Sequence, residues 1–231
     1  MPSRISRWRS DPAIARCGPF ALFIALLVLG SQLSPFLGER GASDAASWLV
    51  VARGAIVALA LAWFWPAYHE LRKPSPAAAD WLLAALGGFA VFLVWIGLDQ
   101  DWAVLSRSAG FIPHDPEGGT DWFKALARLA GFALVVPVME ELFWRSFLLR
   151  WLERHDFLSV APRLVGMRAF LITTVLFSLE HDRWLAGAVA GALYNWLYMR
   201  SGNLWVPIAA HVVTNAVLGV WILHVQNWQF W

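Results

Sequence analysis

Residues 131–151 read GFALVVPVMEELFWRSFLLRW and decide the fold class, because they place charged side chains inside a long apolar stretch. The stretch belongs to an apolar block that runs from residue 122 to residue 151. About 20 apolar residues let a helix cross a bilayer core roughly 30 Å thick. The block therefore predicts a membrane-spanning helix whose ionisable residues need buried partners.

Six further apolar blocks accompany this one, and short polar turns separate most of them. They cover residues 19–37, 48–68, 80–98, 168–181, 184–199 and 204–224. Because lipid offers no hydrogen bonds, each block must satisfy its backbone internally as a helix. The chain is 59% hydrophobic and only 15% charged, whereas soluble domains are about one quarter charged. We predict an all-α, polytopic transmembrane helix bundle of seven spans.

Charge and hydropathy divide the chain into four regions. Residues 1–17 form a basic N-terminus, 18–98 hold three spans, 99–121 form an acidic loop, and 122–225 hold four spans with the candidate site. Positive charge is in excess on cytoplasmic loops. Placing the N-terminus inside puts eleven basic residues there: Arg4, Arg7, Arg9, Arg16, Arg72, Lys73, Arg150, Arg154, Arg163, Arg168 and Arg200. Five basic residues then lie outside, so we expect the N-terminus inside.

Two classes of site receive no support from the composition. The positive charges are dispersed at the ends of the spans and form no stripe with interleaved aromatic residues, so nucleic-acid binding is not indicated. Cys17 is the single cysteine, which excludes an intramolecular disulfide and a CxxC metal site.

The ionisable residues quoted above form the first of three candidate motifs. Glu141 and Arg145 lie one helical turn apart, so they share a face and can form an ion pair. Glu140 points in another direction and stays unpaired in this arrangement. Pro137, one turn earlier, removes the backbone hydrogen bond to the carbonyl of Ala133 and predicts a local kink.

The other two motifs lie in later blocks. Phe177 and His181 are one turn apart at the end of the fifth block, and His211 and Asn215 are one turn apart in the last block. Counting about 1.5 Å per residue along each helix brings these side chains and Glu140 to comparable depths. We therefore expect one shared pocket that opens towards the inner side of the membrane.

Polar side chains of this kind also join neighbouring helices, at about 1 kcal/mol for each hydrogen bond. An ionisable group costs about 2.5–3.5 kcal/mol to place at the bilayer centre on insertion scales. Two glutamates, two histidines and an arginine exceed what packing needs, and they indicate a functional site. Transport sites use the same residue types, so a transporter or a non-catalytic immunity protein is an alternative. Transporters are typically built from repeated halves, and the sequence has no internal repeat.

The three motifs resemble those of the CAAX protease and bacteriocin-processing (Abi) family of intramembrane endopeptidases, which includes the Ras-converting type of prenyl endoprotease. They are E-E-x-x-x-R at Glu140, Glu141 and Arg145, F-x-x-x-H at Phe177 and His181, and H-x-x-x-N at His211 and Asn215. The segment GNLWVPIAAHVVTN, residues 202–215, is similar to the last family motif beyond its two key residues. The resemblance covers about residues 122–220.

The resemblance also bears on topology, location and partners. Characterised members usually have eight spans, which sets an eight-span bundle beside the seven counted here. A narrower likeness is to the CAAX protease-related proteins associated with bacterial exosortase systems. Together with the arginine-rich N-terminus, it favours a bacterial plasma (inner) membrane. The implied partners are membrane lipid and a peptide or protein substrate, either a prenylated C-terminal CAAX peptide or a leader peptide.

The resemblance further implies peptide hydrolysis in which Glu140 activates water and His181 helps to position it. His211 and Asn215 would donate hydrogen bonds to the developing oxyanion, while Arg145 would keep Glu141 ionised. This reading favours no cofactor. A zinc-dependent version stays open, with Glu140, His181 and His211 as ligands and water in the fourth position.

Overall fold

The structure is a computed structural model, and it describes residues 8–33, 39–107, 110–115, 117 and 119–231. For residues 33 and 39–46 it describes the backbone alone. Arg4 and Arg7 of the predicted basic N-terminus, and the end of the first predicted block, lie outside the described residues.

The described part of the chain contains seven helical segments of 13 or more residues, and each overlaps one of the seven predicted blocks. They are α1 (Pro12–Leu33), α2 (Glu39–Phe64), α3 (Ala78–Gly97), α4 (Trp122–Trp151), α5 (Met167–Leu179), α6 (Trp184–Ser201) and α7 (Trp205–Val225). Among the described residues no β-strand occurs, and His114 and Thr120 form an isolated bridge. The all-α prediction is therefore confirmed.

Five of the helices, α1, α2, α3, α4 and α7, are long and apolar enough to cross a membrane. The shortest helix, α5, has 13 residues, which is about 20 Å of helix and less than a full bilayer core. The helix ends at Leu179, and His181 lies in the turn that follows.

Helix α4 departs from α-helical geometry on both sides of the two glutamates. The stretches Gly131–Val135 and Leu142–Leu148 are π-helical, and Val136–Glu141 between them is α-helical. The backbone N–H of Val136 bonds to the carbonyl of Gly131, five residues back. The irregularity predicted at Pro137 is present, and it takes the form of a wider turn ahead of the proline. Such π-bulges frequently occur at functional sites.

Two glycine contacts bring the site-bearing helices close together. On α3, a Cβ at Gly88 would lie 2.2 Å from the carbonyl oxygen of Ala210 on α7. On α6, a Cβ at Gly191 would lie 3.2 Å from the ring of Phe177 on α5. The G-x-x-x-G pattern of Gly187 and Gly191 thus serves close helix packing.

The bundle has two ends of different charge, which we call the basic end and the acidic end. At the basic end, Lys73 Nζ bonds to the carbonyl of Gly202 at 3.1 Å, which joins the α2–α3 and α6–α7 connections. At the acidic end, Arg183 Nη2 donates to Asp99 Oδ1 at 2.8 Å and Arg183 Nη1 donates to the carbonyl of Gln229 at 3.2 Å. These bonds join the α3–α4 connection, the α5–α6 turn and the segment after α7.

Arg16 differs from its predicted place in a solvated N-terminus. It lies inside α1, is fully buried, and forms an ion pair with Glu70. Arg150 Nη2 donates to the same carboxylate at 3.1 Å, and Ser146 hydrogen-bonds to it as well. Because the arginines find a buried counter-charge, they need no contact with water.

Candidate active site

Glu141 is the centre of the polar contacts in the bundle. Its side chain is fully buried, and Oε1 accepts a hydrogen bond from Arg145 Nη1 at 3.1 Å. The same oxygen lies 2.9 Å from Nδ1 of His211 on α7. The predicted Glu141–Arg145 pair is confirmed, and it extends across the bundle to His211. Since Oε1 accepts from Arg145, Nδ1 of His211 carries the hydrogen of the second bond.

Arg145 is held on the side away from Glu141 by helix α6. Nε donates to Oδ1 of Asn195 at 3.2 Å, and Nη2 donates to the carbonyl of Gly191 at 3.3 Å. Asn195 in turn donates to Thr173 Oγ1 on α5 at 2.9 Å. The guanidinium also lies 4.4 Å from the ring centre of Phe177, in cation–π geometry. Arg145 therefore links α4 to α5 and α6, and Glu141 connects it to His211 on α7.

Glu140 has a different environment from its neighbour. It is 5% exposed and lines the cavity of the bundle, and its buried Oε2 has no hydrogen-bond partner. A buried carboxylate oxygen without a partner is costly, because it has lost water and gained nothing in return. The two adjacent glutamates thus differ in their surroundings. Hydrogen bonds hold the carboxylate of Glu141, whereas the carboxylate of Glu140 lines the cavity without a hydrogen bond from the described residues.

His181 lines the same cavity, beyond the end of α5. Its Nδ1 lies 2.7 Å from the carbonyl of Phe177, which can only accept, so Nδ1 carries a hydrogen. Nε2 of the neutral ring is then a lone-pair acceptor. Glu180, the preceding residue, accepts a hydrogen bond from Trp144 Nε1 at 3.0 Å and contributes to the cavity wall.

Asn215 donates a hydrogen bond to the backbone of α4. Its Nδ2 donates to the carbonyl of Phe132 at 2.9 Å. In the π-helical stretch that carbonyl would pair with the residue five positions on, which is Pro137 and has no N–H. The amide of Asn215 satisfies the orphaned carbonyl, and its second N–H is left over for the cavity that it lines.

The cavity has a volume of about 230 Å³ and is lined by residues from each of the three motifs. Glu140, His181, His211 and Asn215 line it, so the shared pocket is present. The predicted direction of its opening is wrong. Its remaining wall includes the exposed Asp182 and residues 229–231, which belong to the acidic end. The reason is the shortness of α5, which leaves space above its last turn.

The donor set was tested for a metal site, because a zinc-dependent version of the chemistry was an alternative. Within the described part of the chain, no three His, Cys, Asp or Glu side chains lie close enough together to hold a metal ion. Glu140, His181 and His211 therefore do not fit a three-ligand zinc site in this arrangement.

Several functional neighbours were missed at the sequence level. Asn195 and Thr173 fix Arg145, and Tyr194 stacks on His211 with ring centres 4.9 Å apart. Asn195 lies one turn after Gly191, so an amide on the tightly packed face of α6 was the available signal. For the Arg16–Glu70 pair the sequence offered no signal, since 54 residues separate the partners.

The fold and the site together define an all-helical membrane protein with a buried, partnerless carboxylate beside two histidines. Residues 122–217 match the family described as "Type II CAAX prenyl endopeptidase Rce1-like". This part of the chain is a domain of the Rce1-like type II CAAX prenyl endopeptidase (CPBP/Abi) family, and membership implies a membrane protease. Comparisons with curated proteins and with solved structures found no match.

Proposed function

We propose that the protein is an intramembrane endopeptidase of the glutamic type. It hydrolyses a peptide bond near the C-terminus or in the leader of a membrane-associated substrate. The observation that carries the proposal is the contrast between two neighbouring carboxylates. Oε1 of Glu141 is bonded to Arg145 and His211, whereas Glu140, which lines the cavity, accepts no hydrogen bond from the described residues; Oε2 of both carboxylates is buried without a partner.

Glu140 acts as the general base in this mechanism. A water molecule in the cavity gives its proton to the Glu140 carboxylate as its oxygen attacks the substrate carbonyl. Nε2 of His181 accepts a hydrogen bond from the same water and orients it, because Nδ1 is committed to the carbonyl of Phe177. The proton held by Glu140 then passes to the leaving amine, so the carboxylate is regenerated.

His211 and Asn215 stabilise the oxyanion of the tetrahedral intermediate. Asn215 offers the N–H that does not bond to Phe132. His211 already donates from Nδ1, so it donates from Nε2 only as an imidazolium. Glu141 supplies the negative charge that such an imidazolium needs. Two donors one helical turn apart can converge on one oxygen, and loss of one such donor typically costs about 10²–10³ in kcat.

The membrane topology in this proposal has seven spans with the N-terminus inside, in a bacterial inner membrane. Support comes from the excess of Lys and Arg at the end that holds the start of α1. Helices α5 and α6 complete the seven although they fall outside the five membrane-length helices. Gly187 and Gly191 pack α6 against α5, and α6 also contacts α3 and α7, which are long enough to span.

The test is cleavage of a quenched-fluorescent peptide library by the purified protein in detergent. Wild type, Glu140→Ala, Glu117→Gln and wild type with a zinc chelator are compared. We expect cleavage by wild type, by Glu117→Gln and in chelator, and none by Glu140→Ala. Glu117 is the matched control, because it is exposed and does not line the cavity. Activity retained in Glu140→Ala contradicts the assignment of the base, and activity lost in chelator favours the zinc version.

A further inference from the structure

Among the described residues, the cavity reaches the surface at the acidic end of the bundle. Its wall includes Trp95 near the end of α3, Asp182 and Arg183 in the α5–α6 turn, and residues 229–231. Asp182 is exposed, so the cavity reaches the surface there. Among the described residues, no wall residue comes from the connections of the basic end.

The path from the site to the basic end is filled. Leu149, Leu204 and Tyr198 have at most 1% of their surface exposed, and they pack in one apolar cluster. Next to this cluster lie the buried side chains of Arg16 and Glu70, with Arg150 and Ser146 on the same carboxylate. A peptide that passed this layer would separate the buried Arg16–Glu70 ion pair, and a buried charge that loses its partner is strongly unfavourable.

Among the side chains that the structure describes, basic residues outnumber acidic ones at the basic end, and acidic residues outnumber basic ones at the acidic end. The basic end carries nine basic residues: Arg9, Arg16, Arg72, Lys73, Arg150, Arg154, Arg163, Arg168 and Arg200. Its acidic residues number five: Asp11, Glu70, Asp80, Glu153 and Asp156. The acidic end has four basic residues, Arg107, Lys124, Arg128 and Arg183, against six acidic ones, Asp99, Asp101, Asp115, Glu117, Asp121 and Asp182. Lys and Arg near the ends of spans are enriched on the cytoplasmic side, so the basic end faces the cytoplasm.

We infer that the active site receives its substrate from the non-cytoplasmic side of the membrane. This inference rests on the proposed function and names its substrate class. The substrate is an extracytoplasmic segment of a membrane-anchored polypeptide, since a cytoplasmic C-terminal peptide has no open route to Glu140. The chemistry of the site is unchanged by this assignment, and only the direction of access differs from the one expected at the sequence level.

Cysteine labelling in spheroplasts tests the direction of the cavity without any need for activity. In a Cys17→Ala background, single cysteines replace Asp182 at the mouth, Asp101 at the acidic end and Arg154 at the basic end. The side chain of Asp101 is 98% exposed, and Arg154 is exposed as well. A membrane-impermeant maleimide should label positions 182 and 101 from outside, and position 154 only after permeabilisation. Labelling of position 154 alone, or of all three positions from outside, overturns the inference.

Cleavage on the two faces of the membrane tests the substrate class. The peptide library is added either to spheroplasts, which present the outer face, or to inverted vesicles, which present the cytoplasmic face. We expect cleavage at the spheroplast surface that is absent in Glu140→Ala, and none with inverted vesicles. Cleavage in inverted vesicles alone overturns the inference. If outside labelling occurs as expected but neither preparation cleaves any peptide, the proposed protease function has failed and the direction of the cavity stands.

Discussion

Oε1 of Glu141 lies 2.9 Å from Nδ1 of His211 and 3.1 Å from Nη1 of Arg145, so one oxygen atom links helices α4 and α7. This shared oxygen gives the two adjacent glutamates different surroundings. Oε1 of Glu141 is bonded to a cation and a histidine, whereas Glu140 lines the cavity, and the proposed mechanism assigns the two carboxylates different roles on this basis.

The first prediction concerns this pair. Glu141→Gln leaves the fully buried Arg145 without its counter-charge, and removing one partner of a buried pair costs about 3–5 kcal/mol. We expect a clearly lower Tm in detergent for Glu141→Gln and for Arg145→Met. The double variant should lose less stability than the sum of the two single variants. Additive losses in this double-mutant cycle would show that the ion pair is not what holds the helices.

The second prediction separates two roles of Asn215. Asn215→Ala leaves the carbonyl of Phe132 without a donor, which costs about 1–3 kcal/mol. Adding Pro137→Ala restores a backbone N–H at the position where α4 lacks one. We expect the double variant to recover the Tm that Asn215→Ala loses, while kcat stays low because the oxyanion donor is still absent. Recovery of kcat along with the Tm would reduce Asn215 to a structural residue.

The third prediction is a dependence of stability on pH at the basic end. Burial alone would raise the pKa of Glu70, but Arg16 and Ser146 outweigh it and hold the pKa below its ordinary value. A lowered pKa in the folded state gives stability that is complete above the unfolded value of 4.5 and is lost as the pH falls through the folded value. We expect Glu70→Gln to lower the Tm at neutral pH.

The gap in Tm between wild type and Glu70→Gln should shrink on acidification below about pH 4.5, because wild type then protonates the same group. Thermal scans of both proteins from pH 7 down to pH 3 measure this gap, with Glu117→Gln as the exposed control. A gap that stays constant with pH would mean that the charge of Glu70 contributes nothing.

The fourth prediction addresses the contact between α3 and α7. A methyl group on Gly88 would lie 2.2 Å from the carbonyl of Ala210, so the helices would have to separate and carry His211 with them. We expect Gly88→Ala to cost about 1–3 kcal/mol, as overpacking usually does, and to lower kcat. Gly97→Ala on the same helix is the control, since no atom lies within 4 Å of its new Cβ. Equal Tm values for the two variants would argue against a close contact at Gly88.

Periodicity was enough to predict the helices and the ion pair. Glu141 and Arg145 are four residues apart, and a helix brings such residues together whatever the rest of the fold does. The direction of the cavity could not be obtained in this way. It depends on where the short helix α5 ends relative to its neighbours, and depth counting from uncertain helix ends does not resolve that.

The hydrogen bond from the Asn215 amide to the carbonyl of Phe132 shows a second limit of prediction from sequence. Pro137 predicted the loss of a backbone bond to the carbonyl of Ala133, whereas the carbonyl that takes a side-chain donor is that of Phe132. Its donor, Asn215, lies 78 positions beyond Pro137 in another helix. Only the packing of α4 against α7 reveals the partner. The catalytic roles of Glu140, His181, His211 and Asn215 stay predictions until cleavage is measured.

The anchoring of α4 at its basic end has a consequence for how this protein can be divided. Ser146 and Arg150 belong to residues 122–217, but the carboxylate that they bind is Glu70, which Arg16 holds from α1. A fragment limited to residues 122–217 would therefore leave Arg150 and Ser146 without the carboxylate that both of them bind. We therefore expect that residues 122–217 do not fold independently, and that a stable fragment must also include α1 and the α2–α3 connection.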